Sequence, residues 1–369
     1  MGLAAVGEAV EGSPETANAV SSPVGLSAML TQIAQGAAGP AAEALEAALG
    51  GEGDELVDQY RQVWGLWAPW TGDPEAVAGT EVPDAPVVAL DARVVADDQT
   101  QLEPSWRREL AARWGTPVDS RDLQAPSAKE DLDQWVREAT GGLVERSGIG
   151  LDDSSRIVLQ NALVFGAAWQ SPFDPADTES QPFTRSDGST VPVDMMHQGM
   201  RAAAIRDAGW TAATLPYQDP ELVAHLLMPD DPDAVTPEGV LDRLEALDEA
   251  TPVQVALGVP TVDASGRQDL YSTLDRLGLS ALFSAPDLSG IGQSEGRPLA
   301  LSQMASQTVL MMDEAGTVAA AVHEAQVGVT SAETGATTIA FDHPYLVVLA
   351  DRTTNTPLIL AWIGDPSAS

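Results

Sequence analysis

The chain reads as a mixed α and β protein, and three observations predict it. Apolar residues at helical spacing fill much of the first third, as in Leu26, Met29, Leu30 and Ile33. An unbroken run, Ile157-Val158-Leu159-Gln160-Asn161-Ala162-Leu163-Val164-Phe165, then reads as a strand buried on both faces. Beyond it strand signals dominate, down to the closing apolar runs at 345–349 and 358–363.

Composition bounds the rest. The 369 residues suffice for two domains, although single domains of this size exist, and 44% apolar residues can build a substantial core. The formal charge is −37, from 55 acidic against 18 basic residues, and Lys129 is the only lysine. Counterion-release binding needs clustered Lys and Arg, so nucleic acid, polyanionic sugars and anionic membranes are excluded as expected partners. With no cysteine there is no disulfide, thiol catalysis or cysteine metal site. Residues 1–12 lack the basic start and apolar core of a signal peptide, and no run of about 18 apolar residues exists to span a bilayer. The expectation is a cytoplasmic protein, or a secreted one whose leader has been removed.

Taken in order, residues 1–12 suit a short amphipathic helix ending at Gly12-Ser13-Pro14. Asn18-Ala19-Val20-Ser21-Ser22-Pro23 reads as a short strand running into a Ser-Pro helix start. Pro40 opens another helix, with Leu45, Ala48 and Leu49 on one face and Gly50-Gly51 as its stop. Residues 55–70 read as helix, 72–86 as an acidic connection and 87–95 as a strand. Two helical segments follow, the second around Leu132-Asp133-Gln134-Trp135-Val136 and ending Thr140-Gly141-Gly142. After the 157–165 strand come Trp169, Pro172-Phe173, Pro182-Phe183, an Asp187-Gly188 turn and a strand over 191–197. Residues 214–217 and 224–229 read as paired strands, 231–250 as helix and 253–260 as strand. Leu270, Leu274, Leu277 and Leu279 suggest a helix leading to Phe283.

The stretch from Met311 to Pro344 stands apart. Asp313 and Glu314 lead into Gly316-Thr317, then small residues Ala319-Ala320-Ala321. In steps of two, Thr317, Ala319, Ala321 and His323 share one face, and Val318, Ala320, Val322 and Glu324 the other. That period of two suits a strand in a crowded sheet, yet Gly328, Thr330, Ser331 and Gly335 read as loop.

This stretch resembles the hinge and reactive-site loop of the serpins, in the pattern Glu314, Gly316-Thr317 and Ala319-Ala320-Ala321. The opening is also similar, with Asn18, Ser22 and Pro23 matching and Gly25 standing where a Ser is common. Around Trp135-Val136 the match departs at Asp133, where the family has Asn. The densest likeness is the 157–165 strand followed by Trp169, Pro182-Phe183, Asp187-Gly188 and Met195-Met196; Asp287-Leu288-Ser289-Gly290-Ile291 adds another. The family's Gly-Arg near the end is Ala361-Trp362 here. The resemblance covers about residues 16–366. It implies an α+β serpin fold, with three β-sheets, about nine helices and an exposed reactive-site loop. The whole of 1–369 would form a single domain, with a short first helix in 1–15 and the hinge and loop in 314–340. The Ala-, Gly- and Asp-rich, Lys-poor composition fits a prokaryotic-type member, from a GC-rich genome or a saline habitat.

The resemblance further implies a protease inhibitor, not an enzyme, that acts as a suicide substrate. The protease cuts the loop, and the loop enters the main sheet as a new strand before the acyl-enzyme is hydrolysed. The hinge would be Glu314, Gly316, Thr317, Ala319, Ala320 and Ala321, and the scissile bond Thr330-Ser331, with Val329 or Thr334 as other cut sites. Ser22, Asn161, Trp169 and Ser306 would mark the region where the sheet opens. The family's usual His partner for Asn161 is Ser306, which cannot span the same distance. His323 and Glu324 are larger and more polar than the family's usual choices. Neither Arg nor Lys lies between Gly316 and Phe341, which disfavours trypsin-like targets and favours elastase- or subtilisin-like serine proteases with small apolar pockets; a cysteine protease is a further option. The implied inhibitor is monomeric, with no cofactor and no metal.

Two rivals remain at this level. A non-inhibitory serpin would keep the fold and offer the loop only as substrate. Gly292-Gln293-Ser294-Glu295-Gly296 also fits the G-x-S-x-G of hydrolase nucleophile elbows, which requires a strand before Ser294 and a helix after it. His197, His225, His323 and His343 show no metal-ligand spacing and are expected to be structural.

Overall fold

The computed structural model describes residues 1–12, 17–79, 82–284, 286–299, 301, 303–317 and 337–368. Its central sheet has six strands, in the order Val262–Asp269, Gln303–Met312, Gly316–Thr317, Ile157–Ala168, Val87–Asp97 and Val118–Arg121. A second six-stranded sheet runs Asn18–Ser21, Pro357–Ile363, Tyr345–Asp351, Leu222–Pro229, Trp210–Pro216 and Ala204–Asp207. Thr337–Ala340, Val253–Pro260, Thr190–Ala202 and Glu179–Thr184 form a four-stranded sheet. A small fourth sheet, Arg297–Pro298, Gly292–Ser294 and Gln101–Leu102, adds to the three expected.

Burial explains why these runs become strands. Every residue from Ile157 to Ala167 is buried, because the core lies on one face of this strand and the helix Pro126–Ala139 covers the other. The main core is built from all three large sheets. Leu163 and Phe165 meet Leu215, Leu226 and Val347 of the second sheet and Phe183, Met195 and Leu257 of the third. A second cluster packs the helices Pro23–Ala34 and Gly39–Leu49 beneath the central sheet through Leu26, Met29, Leu30, Ile33 and Leu45. Each such side chain, nearly inaccessible to solvent, contributes roughly 1.5–3 kcal/mol by burial. The helices Gly2–Val10 and Pro237–Glu249 cover the outer face of the second sheet.

Several sequence expectations shift. The helix expected over 55–70 is Asp54–Trp67 and tightens into a 3-10 turn, Ala68–Trp70, where Pro69 lacks an N–H to continue the ladder. The helix expected from Leu270 to Phe283 is two pieces, Tyr271–Arg276 and Ala281–Ser284, separated at Gly278, whose φ is +75°. The region 314–340 is not loop throughout, since Gly316–Thr317 and Thr337–Ala340 belong to different sheets. Among the described residues no helix is long and apolar enough to cross a membrane.

Candidate functional site

Between the upper ends of the strands Ile157–Ala168 and Gln303–Met312, a two-residue fragment is already in place. Gly316 pairs antiparallel with Ala168, and Thr317 with both Ala167 and Met312. Lower down, nothing separates the two strands. They pair directly and in parallel, from Gln303 opposite Val158 to Thr308 opposite Leu163. The sheet is therefore split at the top and closed beneath.

Local chemistry fixes the fragment there. The Asp313 carboxylate accepts from the backbone N–H groups of Ala315 (2.9 Å) and Gly316 (3.1 Å), and Asp313 N donates to Gly316 O, which folds the chain back on itself. Gly316 passes so close to the neighbouring strand that a Cβ would lie 2.2 Å from Ala167 O, so only glycine fits. Thr317 is 1% exposed, and its hydroxyl lies 2.6 Å from the Tyr217 phenol. Burial pushes the Tyr217 phenol far above its ordinary pKa, so it serves as a neutral hydrogen-bonding group. Tyr217 stacks on Trp169 at 4.6 Å and meets Phe165 edge-on at 5.4 Å.

Trp169 is a latch for the turn rather than a ligand platform. Its indole N–H donates to Asp313 O and its backbone N–H to Ala315 O, both at 2.9 Å. Glu314 has a hydroxyl partner: its carboxylate accepts from Thr178 Oγ1 at 2.6 Å, and its carbonyl accepts from Phe173 N. Tyr217 and Thr178 were not singled out in the sequence, and Asp313 was named only as the acidic lead into Gly316-Thr317. Only Asp313 carried a signal, an Asx-type acceptor three residues before Gly316.

Below the split lie Asn161, Ser306 and Ser22. Asn161 is 1% exposed and level with Ser306, which is 6% exposed. Among the described residues neither amide atom of Asn161, nor the Ser306 hydroxyl, has a hydrogen-bond partner. Such burial costs about 1–3 kcal/mol for each unmade bond. Ser22 is engaged elsewhere, accepting from Gly25 N at 3.0 Å as the cap of its helix. Gly25 leaves room for Asn161, since a Cβ there would lie 2.6 Å from the amide nitrogen. As expected from its length, Ser306 makes no hydrogen bond to Asn161 although it stands level with it, and Ser22 is engaged within its own helix.

The outer face is bonded more fully. Arg93, 5% exposed in its side chain, donates to Gln160 Oε1 (3.0 Å) and Asp131 O (2.9 Å), and pairs with the Asp131 carboxylate at 3.1 Å. Gln160 donates in turn to Ser147 Oγ at 2.9 Å. Asp133, the departure from Asn, accepts from Ser147 N and pairs with Lys129.

The remaining sequence candidates divide. Ala319, Ala320, Ala321, His323, Val329, Thr330, Ser331 and Thr334 lie outside the described residues. Ser294 sits in a hairpin opposite Arg297, and Glu295 and Gly296 turn at φ +53° and +75°. The strand Arg297–Pro298 follows it and no helix does, so the nucleophile elbow does not form and Ser294 is the last residue of a hairpin strand. His197 meets Gln181 at 2.9 Å, His343 meets Asp342 at 2.9 Å, and His225 lies between Thr214 (2.9 Å) and Asn355 (3.1 Å).

Comparison with known proteins follows the same lines. Residues 5–366 match the sequence model of one family, Serpin (serine protease inhibitor). Serine protease inhibitor 42Dd of Drosophila melanogaster is 29% identical over 290 residues, covering 73% of each chain. Alpha-1-antitrypsin 1-1 of Mus musculus is 30% identical over 249 residues, covering 66% of this chain but only 59% of the mouse protein. Among solved structures, the thermophilic serpin tengpin in its native state superposes with a TM-score of 0.81 at 17% identity, over 98% of this chain and 92% of its own. Serpin-12 of Manduca sexta gives 0.80 at 19% identity, over 99% of both chains.

Proposed function

Because the chain belongs to the serpin family, we propose that it traps a serine protease as a suicide substrate, with residues 318–336 as bait and the central sheet as the trap. The observation that carries this reading is the fragment Gly316–Thr317, seated as the first rungs of a strand that the closed sheet below does not yet contain. Cleavage beyond Thr317 would free the chain to extend that ladder downward, and each added residue gains backbone hydrogen bonds and burial. Trapping succeeds when insertion outruns hydrolysis of the acyl-enzyme.

The bait's chemistry selects the target. It carries neither Arg nor Lys, so a pocket built for a cation has nothing to bind. Small or apolar pockets of the elastase or subtilisin kind suit Val329, Thr330 and Ser331, and the bond after Thr330 is our assignment for the cut.

The test is incubation with elastase and subtilisin. A denaturant-resistant covalent complex is expected with the parent, together with a rise of tens of degrees in the Tm of the nicked protein. Thr317→Arg should be cut without forming complex, because a cation cannot follow the buried Thr317 path without leaving an uncompensated charge. Plain cleavage of the parent, with no complex and no change in Tm, would overturn the reading in favour of a non-inhibitory member.

A further inference from the structure

Four aromatic side chains border a cavity of about 650 Å³ beside the central sheet, within the size range of small-molecule sites. Tyr60 and Trp64 come from the helix Asp54–Trp67, Trp114 from the end of the turn Leu110–Trp114, and Trp135 from the helix Pro126–Ala139. All four are only partly buried, because each stands at the margin of a packed cluster. Tyr60 and Trp64 flank the main core, Trp114 the cluster of helices beneath the sheet, and Trp135 the cluster around Val136 and Ala162. The cavity is the space where these three clusters meet without closing.

Its remaining wall is the edge of the strand Val87–Asp97. Asp97 N donates to Arg156 O, so odd-numbered residues of this strand bond to Ile157–Ala168 and even-numbered ones face the other edge. On that edge Val88 O accepts from Gly72 N at 3.2 Å, and Val94 N donates to Pro117 O at 3.0 Å. Between these two bonds lie Leu90 and Ala92, which line the cavity and have no backbone partner there among the described residues. Asn161 also lines it, 1% exposed and with neither amide atom bonded, and the buried indole N–H of Trp114 is unbonded too. Donors and acceptors thus converge on a space walled by rings.

Charge decides what suits it. The charged residues at the cavity are Arg61, Arg113, Asp91 and Glu138. Arg113 is held by Asp54 and Glu109, Glu138 accepts from Gln134 at 2.8 Å, and Arg61 is exposed, reaching Arg113 O at 3.5 Å. Asp91 differs, since among the described residues its carboxylate has neither a hydrogen bond nor an ion pair. Burial raises its pKa, and no nearby cation offsets the effect. Arg93, two residues along the strand, is committed to Asp131 and Gln160 and lies 5.1 Å from the Trp135 ring. One cation is therefore already held against an aromatic wall, and one carboxylate beside it has none.

We propose that this cavity binds a small aromatic amine, its ring among Tyr60, Trp64 and Trp114 and its ammonium on the Asp91 carboxylate. The ammonium makes a charge-assisted hydrogen bond to Asp91 and is attracted by the ring faces. The ring replaces water on four half-covered aromatic side chains. The Asn161 amide and the open edge at Leu90 and Ala92 serve polar substituents on the ring. An anion gains little here, because Arg113 is neutralised and Asp91 repels it.

The test titrates the full chain with phenethylammonium and, separately, with its anionic counterpart 3-phenylpropionate, by calorimetry at neutral pH and constant salt. Phenethylammonium should saturate at one molecule per chain and change the tryptophan fluorescence, and 3-phenylpropionate should bind about tenfold more weakly or not at all. Asp91→Asn should weaken phenethylammonium about tenfold, with no loss in the Tm of the free protein, since it removes an unpaired and partly desolvated charge. Glu43→Gln, which removes an exposed carboxylate on the helix Gly39–Leu49, should leave binding unchanged and so exclude diffuse attraction to an acidic surface. Equal affinity for the two compounds, or tighter binding of the anion, would overturn the proposal, as would parent-like binding by Asp91→Asn. Absence of saturable binding by phenethylammonium up to about millimolar concentration would overturn it as well.

Discussion

His225 illustrates how a single buried ring ties stability to pH. It lies on the strand Leu222–Pro229, 2% exposed, with Nδ1 against Thr214 Oγ1 and Nε2 against Asn355 Oδ1. Burial lowers its pKa from 6.5 to about 4, against the smaller raising effects of Asn355 and Asp248. The sign follows from linkage. Above about pH 6.5 the ring is neutral whether the chain is folded or not, and stability is unaffected. Between 6.5 and 4 the unfolded chain binds a proton that the folded chain refuses, so stability falls with pH, by on the order of 3 kcal/mol in total. Urea midpoints at pH 7 and pH 4.5 should therefore diverge more for the parent than for His225→Gln, since the carboxylates common to both cancel in the comparison. Parallel pH slopes would remove this account. Nothing near His225 in the sequence announced it, because Thr214, Asn355 and Asp248 come from three separate segments. Thr317, by contrast, was grouped by alternation with the small residues Ala319 and Ala321, and it is buried beside Tyr217.

Among the elements, the helix Pro126–Ala139 lies across the strands that the proposed insertion would part. Its Ala128 and Leu132 pack on Val95, Val158 and Ala305, and its Val136 and Ala139 on Ala162 and Val309, so it bridges both of these strands. Gln307, with its amide oriented to do so, donates to Asn161 O at 3.1 Å and accepts from Gly148 N at 2.9 Å, tying the following loop to both strands as well. Arg93 locks the helix to the sheet through Asp131 and Gln160, with its guanidinium 5.1 Å from the Trp135 ring. Replacing it with Met leaves Asp131 with only its 3.4 Å contact to the exposed Arg121 and Gln160 short of a donor, a loss of about 2–3 kcal/mol in the uncleaved protein. Where lifting the helix limits insertion, each 1.4 kcal/mol lost only from the closed state speeds it about tenfold. Arg93→Met should thus melt several degrees lower uncut and insert faster once cut, which rapid-mixing fluorescence after loop cleavage would report. An unchanged insertion rate would mean that the helix does not gate the sheet. Strands such as 157–168 were legible because an apolar run buried on both faces leaves few alternatives. The Arg93 contact was not, since it joins residues 38 apart in sequence through a tertiary packing that no local pattern encodes. The broken helix at 271–284 and the proline-ended helix at Trp67 were misjudged for a related reason. Apolar spacing registers a face, and it does not register where the backbone leaves the helix.

For the whole molecule, charge works against itself. The chain carries a net −37, and several of its few arginines are spent in local pairs, such as Arg113 with Asp54 and Glu109, Arg185 with Asp365 and Arg276 with Glu11. Like-charge pairs greatly outnumber these bridges, and exposed bridges are each worth no more than about 1 kcal/mol. Repulsion across the surface therefore outweighs what salt removes from the bridges. Since the screening length shrinks from about 30 Å at 0.01 M to about 10 Å at 0.1 M salt, Tm should climb steeply over that range and level off above it, equally for sodium and potassium chloride. A climb that continued linearly to molar salt, or that appeared with sulfate alone, would indicate solute exclusion instead of screening. The same field would act with the opposite sign on a cationic protease. If the proposed target is such an enzyme, attraction acts over distances that salt screens, so the association rate should fall across the range in which Tm rises. Measuring both in one salt series separates the two effects. Association that is independent of ionic strength for a cationic protease would show that the −37 charge bears on the stability of this fold and not on the capture of its target.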